Sequence, residues 1–209
     1  MTRILLISGS TREGSLHTAA LRTAARFAPD EVTASLYDGL RGLPAFVPGE
    51  PAPDRVAFLR HRVNAAEAVL FCTPEYAGSL PGSLKNLIDW LADGGELVGK
   101  PAAWLSVATP GQGEGALATL EAALAHGGAK LLRPACIRVP LGLGAVDGQG
   151  LVTDPRLHLA LADMLQALAR SLSVPEPREQ PSWQAYSSVY PVVARRPDPR
   201  VAGPGRTGR

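Results

Sequence analysis

The chain has 209 residues, 45% of them hydrophobic and 19% charged, with a formal net charge of +2 at pH 7. That is the composition of one packed globular domain, and a charge so near zero is not the footprint of a nucleic-acid-binding protein. No apolar run approaches the about 20 residues that span a bilayer, and the N-terminus shows no charged segment leading into a signal-type apolar stretch.

In chain order, apolar runs rich in β-branched residues predict strands at 4–8, 32–37, 68–73, 102–108 and 131–139. Helical periodicity fills the intervals and predicts helices at 16–27, 54–66, 83–92, 116–126 and 155–173, each bounded by polar residues, proline or glycine. This βαβαβ alternation predicts a parallel sheet with helices on both faces. Cys72 and Cys136 both sit in apolar runs and read as core residues; two cysteines make neither a secreted disulfide framework nor a zinc site. A reducing, cytoplasmic setting fits.

After Ser173 the character changes. Residues 174–209 hold seven prolines and six arginines against three acids, a composition that argues against a further helix. The expected organisation is a domain over 1–173 and a Pro/Arg-rich tail over 174–209 that is at least partly disordered, in which Trp183, Tyr186 and Tyr190 are candidates for packing on the domain or a neighbouring subunit.

The first strand runs into Ser8-Gly9-Ser10-Thr11-Arg12 before a helix opening after Ser15. Hydroxyls, a guanidinium and the free amides of a helix N-terminus together suit an anionic phosphate. The same residues also make an ordinary capped turn, with Ser15 as cap and Arg12 solvated. The pattern is neither G-x-G-x-x-G nor G-x-x-x-x-G-K-[ST], which removes the main warrant for a Rossmann dinucleotide site or a P-loop. The third strand runs into "TPEYAGSLPGSLKNLIDWL", residues 73–91, where Tyr76 stands just past the strand end and Trp90 reads as a buried helix residue. In an open sheet of order 2-1-3-4-5, strands 1 and 3 are neighbours and ligands bind at their carboxyl ends, so these two loops converge on one site.

The two loops resemble the NADPH-dependent FMN reductase family of flavodoxin-like quinone, azo-dye and chromate reductases. The resemblance covers roughly residues 1–173. The family pattern G-S-x-R-x-x-S-x-N is matched by Gly9, Ser10, Arg12 and Ser15, and P-E-Y-N-x-S-x-P-G-x-L-K-N-x-I-D-W is matched at all but one specified residue. His17 and Ala77 stand where the family has asparagine.

The resemblance implies a three-layer α/β/α domain with a five-stranded parallel sheet of order 2-1-3-4-5. It implies that Ser10, Arg12 and Ser15, with His17 and Thr18 beside them, hold the FMN phosphate. Pro74, Glu75, Tyr76, Ala77, Gly78 and Ser79 would wrap the isoalloxazine, and a third loop, "ATPGQGEGAL", would bring Thr109, Gly111 and Gly113 beside the ring. No metal is implied. The implied activity is hydride transfer from NADPH or NADH to FMN and onward, by a ping-pong route, to a quinone, a flavin or a similar small acceptor. No catalytic triad is needed, because the cofactor carries the chemistry and the protein positions it. The family habit is a homodimer or homotetramer, with the helix bearing Lys85, Asn86, Asp89 and Trp90 at the interface. Lys85 and Asp89 equally suit an intrahelical pair. A flavodoxin-type electron carrier and a flavin-binding regulatory member without turnover are the competing readings.

Overall fold

The computed structural model describes residues 1–142 and 144–173; the Pro/Arg-rich tail lies outside the described residues. Among the described residues, six strands and five α-helices alternate, except that the last two strands follow one another. They are β1 (Thr2–Ser8), α1 (Leu16–Arg26), β2 (Val32–Tyr37), α2 (Asp54–Ala65), β3 (Ala68–Cys72), α3 (Gly82–Gly94), β4 (Pro101–Ser106), α4 (Glu114–His126), β5 (Lys130–Leu131), β6 (Ile137–Arg138) and α5 (Pro155–Ser173). The strands pair in parallel in the order β2-β1-β3-β4-β5, with β6 also on β4. This is the flavodoxin-like arrangement, and β1 and β3 sit at its centre in the register Ile4–Ser8 against Ala68–Cys72.

The centre of the sheet is covered on both sides, so β3 (AVLFC) is buried at every residue and reads as a continuous apolar run. Side chains alternate between two cores. Ile4, Leu6, Leu70 and Leu105 meet α1 and α5, while Leu5, Ile7, Phe71 and Trp104 meet α2, α3 and α4.

One expected strand divides. The run 131–139 forms two short pieces, β5 against Pro101–Ala102 and β6 against Leu105–Ser106, separated by a 3-10 turn at Arg133–Ala135. Pro134 has no N–H to give the ladder, and only an edge strand tolerates the interruption. The ladder resumes beyond it, with Val139 N donating to Ser106 O at 2.8 Å and Leu141 N to Val107 O at 3.1 Å. Those bonds bring Leu141 and Gly142 to the carboxyl edge of β4.

The helix α3 works within the chain. Asn86 donates from Nδ2 to Pro44 O at 2.9 Å and accepts from Phe46 N at 2.7 Å, while Trp90 Nε1 donates to the same Pro44 oxygen at 3.0 Å. Trp90 is buried, as expected, and meets the Phe46 ring edge-on at 4.9 Å. Lys85 Nζ donates to Asp89 Oδ1 at 2.5 Å, the intrahelical alternative. Cys72 is buried, whereas Cys136 is only half-buried; both are free thiols, and burial pushes each thiol pKa upward.

Candidate functional site

The loop after β1 is ordered by its own hydroxyls. Ser8 Oγ and Thr18 Oγ1 share a hydrogen bond of 2.7 Å, Ser10 N donates to Ser8 Oγ at 3.2 Å, and Arg12 N donates to Ser10 Oγ at 3.3 Å. Ser15 is buried at the N-cap of α1 with extended backbone, but its hydroxyl makes no capping bond. The first helical amide to find a carbonyl is that of Ala19, on Ser15 O at 2.9 Å. The amides of Leu16, His17 and Thr18 therefore face the loop without helical acceptors, at the positive end of the helix dipole. Arg12 is exposed and has no carboxylate partner among the described residues. The outer side of the loop is held by Arg41, whose Nε donates to Thr11 O at 2.5 Å and which pairs with Glu13 at 3.2 Å.

Gly9 sets how closely this loop approaches the next. Its N–H donates to Cys72 O at 2.9 Å, and a Cβ there would lie 2.3 Å from Thr73 Oγ1 and 2.8 Å from Leu84 Cδ2. No side chain fits between β1 and the start of the β3 loop.

After β3, Tyr76 N donates to Ser79 O at 2.9 Å and Ser79 N to Tyr76 O at 3.0 Å around a two-residue tip. Ala77 has φ 51° and Gly78 φ 72°, so both tip residues are left-handed, as in a type I′ turn. Ala77 is the only non-glycine residue with positive φ among the described residues. Asparagine tolerates this conformation far better than alanine, so the family's asparagine fits the backbone found here. Ala77→Asn is expected to stabilise the fold by about 0.5–1 kcal/mol and raise Tm by roughly 1–4 °C, measured by thermal melting of apoprotein. The turn uses the amides of Tyr76 and Ser79 internally, leaving those of Glu75, Ala77 and Gly78 for a ligand. Tyr76 is 54% exposed and is not a lid on the core.

The loop after β4 is a tight turn at Thr109–Gln112, closed by Gln112 N on Thr109 O at 3.0 Å, with Pro110 second and Gly111 third at φ 80°. That is the residue placement of a type II turn. Gly113, also at φ 80°, caps α4. The first turn of α4 leans on the β3 loop. Ala116 N donates to Glu75 Oε2 at 3.0 Å, and Ser79 Oγ donates to Thr119 Oγ1 at 3.2 Å. Glu75 is thus a carboxylate at a helix N-terminus, a role its motif did not disclose.

Two cavities open at the carboxyl edge of the sheet. One, of about 520 Å³, is walled by Leu16, Val107 and Leu141 with His17, Pro74, Glu75, Thr109, Gln112, Gly113 and Gly142. It joins the loops after β1, β3 and β4, as the sheet order requires. The other, of about 360 Å³, lies on the β2 side and takes in Ser10, Arg12 and Thr18. Ser15 is buried at the helix start beside both groups. Tyr76, Ala77, Gly78, Ser79 and Gly111 line neither cavity; Tyr76, Ala77, Gly78 and Ser79 form the turn, and Gly111 the bend of the third loop. Leu141 and Gly142 were missed because they follow an edge strand broken by Pro134, with no motif to mark them.

His17 is half-buried in the wall of the larger cavity, and its pKa falls to about 4, first through desolvation and then through the charge of Arg12. The imidazole is therefore neutral near pH 7 and does not oppose the helix dipole. A histidine titrating near 6.5 when unfolded takes up protons that the native state refuses. Apoprotein stability is then full above pH 6.5 and falls, by at most about 1.4 kcal/mol per unit, as pH drops toward 4. Urea midpoints at pH 7 and 5 are expected to differ less in His17→Asn than in the wild type.

The NADPH-dependent FMN reductase family model matches residues 2–142. An NAD(P)H-dependent FMN reductase of Pseudomonas aeruginosa is 34% identical over 172 residues, 79% of this chain and 92% of that one. An NADPH azoreductase of a Bacillus species is 32% identical over 82% of this chain and 93% of its own. Among solved structures, the flavoenzyme NAD(P)H:(acceptor) oxidoreductase FerB of Paracoccus denitrificans superposes with TM-score 0.68 at 27% identity, covering 81% of this chain and 98% of FerB. With the flavodoxin-like sheet order and both loop motifs in place at its carboxyl edge, the chain belongs to the NADPH-dependent FMN reductase family.

Proposed function

We propose that the cavity shared by the loops after β1, β3 and β4 holds the flavin ring of FMN and that the N-terminus of α1 holds its phosphate. The chain is an FMN-dependent oxidoreductase that uses NAD(P)H as donor. The observation that carries the site assignment is the union, around one cavity of about 520 Å³, of apolar walls and a helix start with unpaired amides. A volume of that order suits a cofactor-sized ligand.

When bound, FMN supplies the centre that accepts hydride from the donor and returns reducing equivalents to the acceptor. The chain's own residues do the rest. Leu16, Val107 and Leu141 exclude water from the ring's apolar part. Ser10, Ser15, Arg12 and the amides of Leu16, His17 and Thr18 offer donors to the phosphate. The amide of Glu75, which lines this cavity and is left unbonded beside the type I′ turn, is available to the ring's polar edge, where preorganised donors stabilise negative charge. Glu75 and Ser79 act as positioning residues through α4.

Quinones and azo compounds are the acceptor classes that the relatives suggest, and assembly into a homodimer or homotetramer in the cytoplasm is the expected context. Among the described residues no helix is long and apolar enough to cross a membrane. The domain boundary at 173 and the Pro/Arg-rich tail belong to the same reading.

The test is the visible spectrum of purified protein supplied with FMN, recorded anaerobically before and after NADPH and then NADH. Bands at roughly 370 and 450 nm that bleach within the mixing time support a flavin reductase and rank the donors. A flavin that stays oxidised with both donors favours the electron carrier or the flavin-binding regulatory member, and a protein that retains no flavin overturns the site assignment.

A further inference from the structure

Beyond Leu141 and Gly142, which wall the larger cavity, the chain makes a small hairpin before α5. Ala145 N donates to Gly142 O at 3.1 Å and Thr153 N to Ala145 O at 3.1 Å, while Val146 and Val152 form an antiparallel bridge. Asp147 closes the tip, its Oδ1 accepting from the amides of Gln149 and Leu151 at 2.9 Å each. Hydrogen bonds therefore connect the cavity wall to the strand end at Val152.

Val152 is buried, and side chains take both of its backbone polar groups. Its N–H donates to Thr23 Oγ1 at 2.8 Å, and its carbonyl accepts from His158 Nε2 at 2.6 Å. A carbonyl only accepts, so Nε2 carries the proton. Thr23 is fully buried in α1, and its hydroxyl hydrogen goes to Ala19 O at 2.9 Å, leaving a lone pair for Val152. His158 is half-buried and stacks on Phe27, the residue that ends α1, with 4.6 Å between ring centroids. Thr23 lies about two turns beyond Leu16 on the same face of α1, and Leu16 is itself a wall of the cavity.

A buried N–H left without an acceptor is costly, and for Val152 the acceptor is one hydroxyl on α1. Without it the hairpin must carry that amide toward water, and a ligand that needs the wall in place must drive it back. We propose that Thr23 and His158 are positioning residues, which fix Leu141 and Gly142 in the wall of the flavin cavity by gripping Val152. The inference rests on the assignment of that cavity to the flavin ring.

The experiment compares Thr23→Val, which keeps the shape of the side chain and removes the hydroxyl, with Thr23→Ser, which keeps the hydroxyl. In the full-length protein without flavin, the amide chemical shifts of Leu141 and Gly142 are expected to move in Thr23→Val and far less in Thr23→Ser. Thr23→Val is expected to bind riboflavin and FMN about fivefold or more weakly, the low end of what an orphaned buried N–H costs, and Thr23→Ser within about twofold of wild type. In a Leu141→Ala background most of that loss should vanish, because the two changes act on one wall. Shifts confined to Ala19, Thr23 and Val152 overturn the proposal. So does a Thr23→Val protein with lowered Tm but unchanged riboflavin affinity, or a loss equally large in the Leu141→Ala background. If Thr23→Val does not fold, His158→Leu against His158→Gln makes the same comparison at the carbonyl, since glutamine keeps an N–H donor. A wild type that binds neither flavin, with the shifts at Leu141 still moving in Thr23→Val, overturns the flavin reading and not the grip on the wall.

Discussion

Gly115→Ala is expected to destabilise the domain by about 1–3 kcal/mol and to weaken FMN binding at the same time. Helix propensity alone argues the reverse, because alanine is favoured over glycine inside a helix by about 1 kcal/mol. The contact decides the sign. A Cβ at Gly115 would sit 2.1 Å from the carbonyl oxygen of Gly78 and 2.8 Å from its carbonyl carbon. Those are backbone atoms in a turn closed by two hydrogen bonds, so no flexible side-chain end can swing aside. Either α4 retreats, breaking the bond from Ala116 N to Glu75, or the type I′ turn shifts and carries with it Glu75, which lines the cavity. Urea unfolding and flavin fluorescence read the two effects. Gly82→Ala is the control: its Cβ meets nothing within 4 Å, so it is expected to be neutral or to stabilise by up to about 1 kcal/mol. A Gly115→Ala protein as stable as wild type would mean that the β3 loop is not braced by α4.

Arg12→Ala is expected to lower FMN affinity by roughly 10–150-fold while leaving riboflavin binding unchanged. The split between the two ligands is the decisive reading, since riboflavin has the ring without the phosphate. Folding stability should move by no more than about 0.5 kcal/mol, because Arg12 is exposed and breaks no ion pair when removed. Arg12→Lys should recover only part of the affinity, as a point charge cannot reproduce the planar fork. Removing the guanidinium also removes one of the two causes that depress the His17 pKa, so the histidine should titrate higher in Arg12→Ala than in wild type. Equal loss of FMN and riboflavin would place Arg12 at the ring and not at the phosphate.

Most of the fold was legible because its signals are local and repeated. Buried-strand runs such as 68–72 alternate with amphipathic segments, and the two loop motifs fall at neighbouring strand ends in the observed order. The fifth strand was over-read because 131–139 is apolar enough for a strand; the missing N–H of Pro134 became decisive only once the run proved to be an edge. The site divides in the same way. His17, Pro74, Glu75, Thr109 and Gly113 meet around one cavity, although the motif grouped His17 with Ser10 and Arg12, which border the other. The side chain of Glu75 turned instead to α4, since an unpaired helix amide 41 residues away is a tertiary partner that no spacing reveals. Asn86 and Trp90, read as candidates for a subunit contact, are engaged by the backbone of Pro44 and Phe46. Leu141 and Gly142 carry no chemistry of their own and enter the site only because the ladder continues past β6.

The loops that build the site spring from β1, β3 and β4, of which β1 and β3 are hydrogen-bonded on both sides and β3 is sealed on both faces, while β5 and β6 are two-residue pieces at an edge. Local opening starts where few bonds and little buried surface must be lost. In amide hydrogen exchange the β5–β6 edge should therefore label early, and the amides of Leu5 to Ile7 and of Val69 to Phe71 only when the whole domain unfolds. The cofactor platform would then be anchored in the last part of the molecule to open, so that heating releases flavin in one cooperative step with global unfolding and not by prior fraying.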